Sequence, residues 1–310
     1  MTTTYHGVAV TEDYRWLEDA SSPETVAWTR AQHERTISYL RSLPAYEDIR
    51  RRAREILEAG ATSHSAVRKA GATFFALKQQ PPKQQPFIIA LDDLHDAASE
   101  RMVVDPNELD PSGATAVDWY VPSPDGATIA VSLSTNGTED GTLRLFDVRT
   151  GVPLDVEILH VNSGIAGGSL AWRSDGKAFW YTHHPLPGER DGVDEVGFFQ
   201  EVRMHDLDSG KELEDLRGAF ADDRIVESFL GADARGRWVL DRAAKGDGGE
   251  WQFFVRPQHG GAWWLVADTA DRIVDAALGG DALFLLSRKD APRGQILRLA
   301  LEEGATVADA

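Results

Sequence analysis

Cysteine is absent from the 310 residues, which removes disulfides and thiolate metal sites from consideration. A chain with no cysteine fits a cytoplasmic setting. Basic residues are scarce beside acidic ones: 32 Lys and Arg stand against 50 Asp and Glu, a formal net charge of −18. A surface of that sign repels a phosphate backbone, so nucleic acid is not an expected partner, and solubility is the simplest use of the charge. No run approaches the ~18 uninterrupted apolar residues of a membrane helix. The opening stretch, Met1 to Trp16, has neither a basic start nor an apolar core, so no signal peptide and no membrane partner are expected.

The motifs of common chemistry are also lacking. A nucleophile elbow needs Gly-x-Ser-x-Gly on a strained strand-to-helix turn, and no such pentapeptide occurs. The nearest approach, Gly167-Gly168-Ser169-Leu170-Ala171, lacks the last Gly and precedes a strand pattern, so it reads as a loop leading into a sheet. His33-Glu34 lacks the second His of a zinc-protease helix. Asp206-Leu207-Asp208-Ser209-Gly210 opens like a calcium loop, but Gly stands where a third oxygen ligand belongs, and a strand-closing turn is the simpler reading. His183 and His184 are neighbours in a strand pattern, which sends them to opposite faces and away from a shared ion. No phosphate-binding Gly-rich loop appears. The expectation is therefore no catalytic residue, no metal ligand and no cofactor, with substrate-binding residues unassigned.

What the chain does have is a repeated β unit. Ser123-Pro124-Asp125-Gly126 reads as a tight turn, followed by alternation through Ile129, Val131 and Leu133. Asn136-Gly137-Thr138 gives a hairpin turn, and Leu143, Leu145, Phe146 and Val148 form the next apolar set before Thr150-Gly151 closes the unit. The pattern returns at Arg173-Ser174-Asp175-Gly176 with the strand from Lys177 to Thr182, and at Asp206 to Gly210. Weaker copies follow at Asp233 to Gly236 and at Gly279-Gly280-Asp281. Recurrence of turn, strand and turn at this spacing predicts antiparallel propeller blades rather than a two-sheet sandwich. Five are expected, over 65–110, 117–157, 168–216, 225–267 and 271–303. Seven Trp residues (119, 172, 180, 238, 251, 263 and 264) spread over them suit packing between blades better than a ligand cage.

The start of the chain differs. Residues 1 to about 20 read as extended and irregular. Ser22-Pro23-Glu24 is a helix start, with apolar positions at Ala27, Trp28, Ala31 and Ile37, and Pro44 ends the helix. A second helix spans Ala45 to Ala59, with Ile49, Ala53, Ile56 and Leu57 on one stripe. Its Arg50-Arg51-Arg52-Ala53-Arg54 run reads as a solvated face. The fold class is thus mainly β, a helical segment over 1–62 followed by a β-propeller over 63–310.

Several of these residues carry a likeness. Tyr14-Arg15-Trp16-Leu17-Glu18-Asp19, the helix with Trp28 and Gln32, Asp105-Pro106-Asn107 and the Ser-x-Asp-Gly turns resemble the prolyl oligopeptidase family of serine peptidases. Phe198-Phe199-Gln200-Glu201-Val202 and Asp290-Ala291-Pro292-Arg293-Gly294 add to it, while Glu12-Asp13 stands where that family has Asp-Pro. The likeness implies a seven-bladed propeller that gates an α/β-hydrolase acting on short proline-containing peptides. It implies, further, that about five of seven blades lie in this chain and that the catalytic domain lies outside it. On that reading the chain is inactive alone, reaches oligopeptides only through the catalytic domain, and self-associates through exposed blade edges, the first and last sheets exposing apolar faces, with Leu283 to Leu286 on a face without a neighbour. The alternative is a stand-alone propeller that binds a protein or peptide without catalysis.

Overall fold

The computed structural model describes residues 1–190, 193, 195–216, 223–249 and 251–310. They fall into two units, Met1–Ala61 and Thr62–Ala310. The first opens with a hairpin of β1 (Thr2–Tyr5) and β2 (Val8–Thr11), Thr2 facing Thr11. His6 and Gly7 both take positive φ, 48° and 84°, as a two-residue hairpin turn requires. The expectation of an irregular start is corrected here. The hairpin is exposed, so its β-branched threonines support a strand without the alternation of apolar residues that would have announced it. Arg15 donates to the Thr3 and Tyr5 hydroxyls and fastens the following turn to the hairpin.

Helix α1 (Pro23–Arg41) starts as its sequence dictates: the Ser22 hydroxyl accepts from the Thr25 amide at 3.1 Å, and proline fills the first turn. Thr25 is buried and donates to the Trp16 carbonyl at 3.0 Å, while Trp16 and Trp28 meet edge to face at 6.0 Å. Helix α2 (Tyr46–Glu58) buries none of its residues. Its arginines pair within the helix, Arg51 with Asp48 and Glu55 at 3.2 and 2.9 Å, which is the expected solvated face. Its stripe of Ile49, Ile56 and Leu57 is exposed.

The second unit is five antiparallel sheets in chain order. The first holds β3 (Ser63–Ala70), β4 (Thr73–Gln79), β5 (Phe87–Leu91) and β6 (Arg101–Val104). A single-turn helix, α3 (Pro106–Leu109), leads out of it, and the Asn107 side chain donates to the Gln85 carbonyl at 2.9 Å and accepts from the Gln85 backbone amide at 3.0 Å. The second holds β7 (Thr115–Pro122), β8 (Thr128–Thr135), β9 (Gly141–Asp147) and β10 (Pro153–Asn162). The third holds β11 (Leu170–Trp172), β12 (Ala178–His183), β13 (Glu201–Asp206) and β14 (Lys211–Leu216). The fourth holds β15 (Glu227–Ala232), β16 (Trp238–Ala244), β17 (Trp251–Pro257) and β18 (Trp264–Ala267). The fifth has three described strands, β19 (Ile273–Gly279), β20 (Ala282–Ser287) and β21 (Gln295–Ala300). Each sheet is a meander whose strands pair with their neighbours in sequence, which is the blade of a propeller.

Alternation along each strand explains the stacking. In β8, Ile129, Val131 and Leu133 pack on Phe75, Ile88 and Val104 of the first blade, while Ala130 turns to the third with Leu143 and Leu145. Phe179 and Tyr181 face the second blade; Trp180 faces the fourth, against Val239. Leu240, Phe253 and Val255 pack on Ile273, Leu283 and Leu285 of the fifth. Tryptophans serve these seams. Trp172 donates to the Val121 carbonyl of the preceding blade at 3.0 Å, and Trp238 and Trp264, edge to face at 5.5 Å within the fourth blade, pack on its cluster with the fifth.

Two expectations need correction. Leu283 and Leu285 do not lie on an open face; they are fully buried against the fourth blade, and only Phe284 and Leu286, each 38% exposed, point away with Ile296. Period-2 geometry requires this split. Nor does the first blade present a bare face: Ala76, Phe87 and Ile89 are buried, with the Lys83 ammonium over the Phe87 ring at 4.6 Å.

Candidate functional site: the cavity between the inner strands

The first strands of four successive blades, β3, β7, β11 and β15, converge on a cavity of about 370 Å³. Its wall is largely apolar, from Val121, Leu170, Trp172 and Leu230, with Arg68 and Lys69 as its cationic members. Both cations are positioned by aromatic rings. The Arg68 guanidinium lies 5.8 Å from the Tyr120 ring and the Lys69 ammonium 5.2 Å from Phe74. Tyr120 in turn donates to the Ala66 carbonyl at 2.5 Å, and burial pushes its phenol up to about 12.

Turns between first and second strands close around one end of this cavity. Asp125 accepts from the Ser123 hydroxyl at 2.6 Å and the Ala127 amide at 3.0 Å, bonds that hold its carboxyl below the usual range. Gly71 and Gly126 sit where neighbouring turns touch: an added Cβ would lie 2.8 Å from the Asp125 carbonyl in one case and 2.9 Å from the Ala70 carbonyl in the other. Only glycine fits there, since φ is also +56° and +73°. The fourth blade's turn is held to the third by Gln258, which accepts from the Ser174 amide at 2.8 Å and donates to the Asp233 carbonyl at 3.1 Å.

Such a wall offers a ligand apolar contact, two cations and the Asp233 carboxylate. Among the described residues lining the cavity, Ser174 is the one with a hydroxyl and none is a histidine. The residues weighed from the sequence are placed elsewhere. Ser169 leads into β11 as expected and joins blades, donating to the Ser228 carbonyl at 2.6 Å and accepting from the Leu230 amide at 3.1 Å. His183 meets Glu189 at 3.4 Å, and burial, then Arg203, pushes its imidazole down to about 4. His184 instead reaches the Gly167 carbonyl at 3.1 Å, so the two histidines part as strand geometry predicts. Asp206 caps its own turn, accepting from the Ser209 amide at 2.9 Å and hydroxyl at 2.8 Å. His33 and Glu34 lie in α1. Among the described residues, no group of three or more metal-ligating side chains is brought together. No helix there is long and apolar enough to cross a membrane.

Arg68, Lys69 and the cavity wall were not singled out by any motif. The usable signal was position: each wall segment immediately precedes the turn of its blade.

Comparison with known proteins decides the family. The profile of the prolyl oligopeptidase N-terminal β-propeller domain matches residues 1–308. The chain belongs to the prolyl oligopeptidase family. Among curated relatives, the prolyl endopeptidases of Elizabethkingia meningoseptica and Elizabethkingia miricola are 24% and 23% identical over 97% of this chain. The chain spans 41% of the length of each. A solved prolyl endopeptidase structure superposes with a TM-score of 0.78 at 21% identity, covering 98% of this chain and 44% of that one. Prolyl oligopeptidase B from Galerina marginata, solved bound to a 35-residue substrate, gives 0.72 at 17% identity over 95% and 43%. The helical segment and the five blades are therefore the N-terminal portion of this family's fold.

Proposed function

We propose that the chain is the gating-propeller portion of a prolyl-oligopeptidase-like serine endopeptidase acting on short proline-containing peptides. The observation that carries this reading is coverage: one family profile accounts for nearly every residue, and that profile is the propeller rather than the hydrolase. The cavity along the inner strands suits the role, because its apolar wall and two fixed cations can accommodate an extended peptide without reacting with it. Acyl-enzyme chemistry requires a nucleophile and base that the catalytic portion of such a peptidase would supply. A cytoplasmic setting belongs to the same reading. So does self-association of this polypeptide through Phe284, Leu286 and Ile296, an apolar patch beside the last strand.

The purified chain, offered a chromogenic Gly-Pro substrate and a fluorophosphonate probe, is expected to release no chromophore and take up no label. Hydrolysis together with labelling of the chain would overturn the reading. Tight binding of a specific peptide or protein by a monodisperse monomer would favour the stand-alone binding module instead.

A further inference from the structure

The joint between the third and fourth blades is built differently from the others. Among the described residues its apolar cluster is small, Ala171, Trp180, Val202 and Val239, and a polar chain runs beside it. Ser169 donates to the Ser228 carbonyl, the Ser228 amide donates to Gln200 Oε1 at 2.6 Å, and Gln200 Nε2 donates to the Ala166 and Gly167 carbonyls, both at 3.2 Å. At the end of this chain lies Asp241, fully buried on β16, two positions from Val239 and therefore on the same strand face. The Ser228 hydroxyl donates to one of its oxygens at 3.3 Å; the other, Oδ1, has no hydrogen-bond partner.

Among the described residues no cation forms an ion pair with it. Arg242, the next residue, projects to the opposite strand face and pairs with Asp275 of the fifth blade. On β17, Phe254 is directly opposite Asp241, and Arg256 is held over the Trp180 and Trp263 rings at 5.4 and 5.9 Å. From the third blade the joint receives Trp180 and Val202, which carry no charge, and His184, reached through Gln200. His184 keeps an unpartnered Nδ1, and burial holds its imidazole below the usual range.

We infer that this joint is locked by a proton on Asp241: the neutral carboxyl lets the two blades close over it, and loss of that proton loosens the third blade from the fourth. A neutral acid tolerates one unpaired oxygen, whereas a buried carboxylate with a single weak donor does not. Burial accordingly pushes this carboxyl up to about 7, against the opposing pull of Ser228 and Arg242. With the folded value above the unfolded 3.8, the folded state binds more protons between the two. Asp241's contribution to stability is thus full below pH 4 and is lost as pH rises toward 7, and the folded chain itself changes charge near neutrality.

Hydrogen exchange of β12, β15 and β16, corrected for intrinsic rates, tests this at pH 6 and 8.5. Wild type should exchange several-fold faster at the higher pH in these strands and not in β8 or β9. Asp241→Asn, which cannot ionise, should abolish the difference. Ser228→Ala removes a bond that favours the carboxylate, and should move the transition to higher pH in isotope-edited infrared spectra of the Asp carboxylates. Equal pH dependence in wild type and Asp241→Asn overturns the inference. A carboxylate band for Asp241 already full at pH 5 does so independently, even if the Asn variant does not fold.

Discussion

At the scale of single residues, the informative positions are those where backbone meets backbone. Gly126 and Gly176 occupy the same place in successive blade turns, with φ of +73° and +69°. An added Cβ at Gly126 would lie 2.9 Å from the Ala70 carbonyl, whereas at Gly176 nothing lies within 4 Å. Both substitutions by Ala carry the conformational cost of a left-handed residue, about 1 kcal/mol. Gly126→Ala also pushes one blade's turn away from another's, and should cost about 2 kcal/mol more in urea unfolding. Equal losses for the two variants would mean that the turns do not touch in solution. The same scale shows why sequence reading found turns but no site. Ser-Pro-Asp-Gly announces its geometry locally, because Asp125 caps amides two residues away. Asp241 carries no such mark. Its burial depends on strands from two blades, and only their stacking reveals it.

At the scale of elements, alternation made most strands and both long helices legible. The start of α1 follows from Ser22 and Pro23, β8 and β9 from period-2 runs, and β12 and β20 from apolar runs that follow turn signals. What escaped were exposed strands. β3 reads Ser-His-Ser-Ala-Val-Arg-Lys-Ala and only Ala70 is buried, so its membership in a sheet is set by pairing with β4 rather than by its own composition. The face of the fifth blade was misjudged because a run of four apolar residues, Leu283 to Leu286, hides its own alternation. Observed burial turns that error into a prediction. Leu285→Ala, emptying a fully buried position, should cost about 2–5 kcal/mol. The double change Phe284→Ser with Ile296→Ser should alter stability by less than about 1 kcal/mol yet reduce association measured by light scattering. Undiminished association in that double variant would show that another surface drives it.

At the scale of the whole molecule, the five blades form a series of seams with unequal chemistry. The first and second, second and third, and fourth and fifth join through large apolar clusters. Among the described residues, the third and fourth join through a smaller one with a polar chain beside it. A joint that loosens more readily than its neighbours, as inferred above, would give motion a defined place to occur. A solved relative only 21% identical keeps this architecture. Membership in the family was legible in the Tyr-Arg-Trp-Leu-Glu-Asp stretch before any coordinates; the cavity was not, because its wall is assembled from segments separated by about 50 residues each. The central claim is that this chain is the propeller portion of a longer peptidase. Reading the DNA that follows the codon for Ala310 tests it most directly. The account predicts a continuing frame, or one restored by a single shift, that encodes further blade repeats and then Gly-x-Ser-x-Gly between a strand and a helix. An unrelated sequence after an in-frame stop, with the 34 kDa chain recovered intact from its source as a stable monomer, would contradict it.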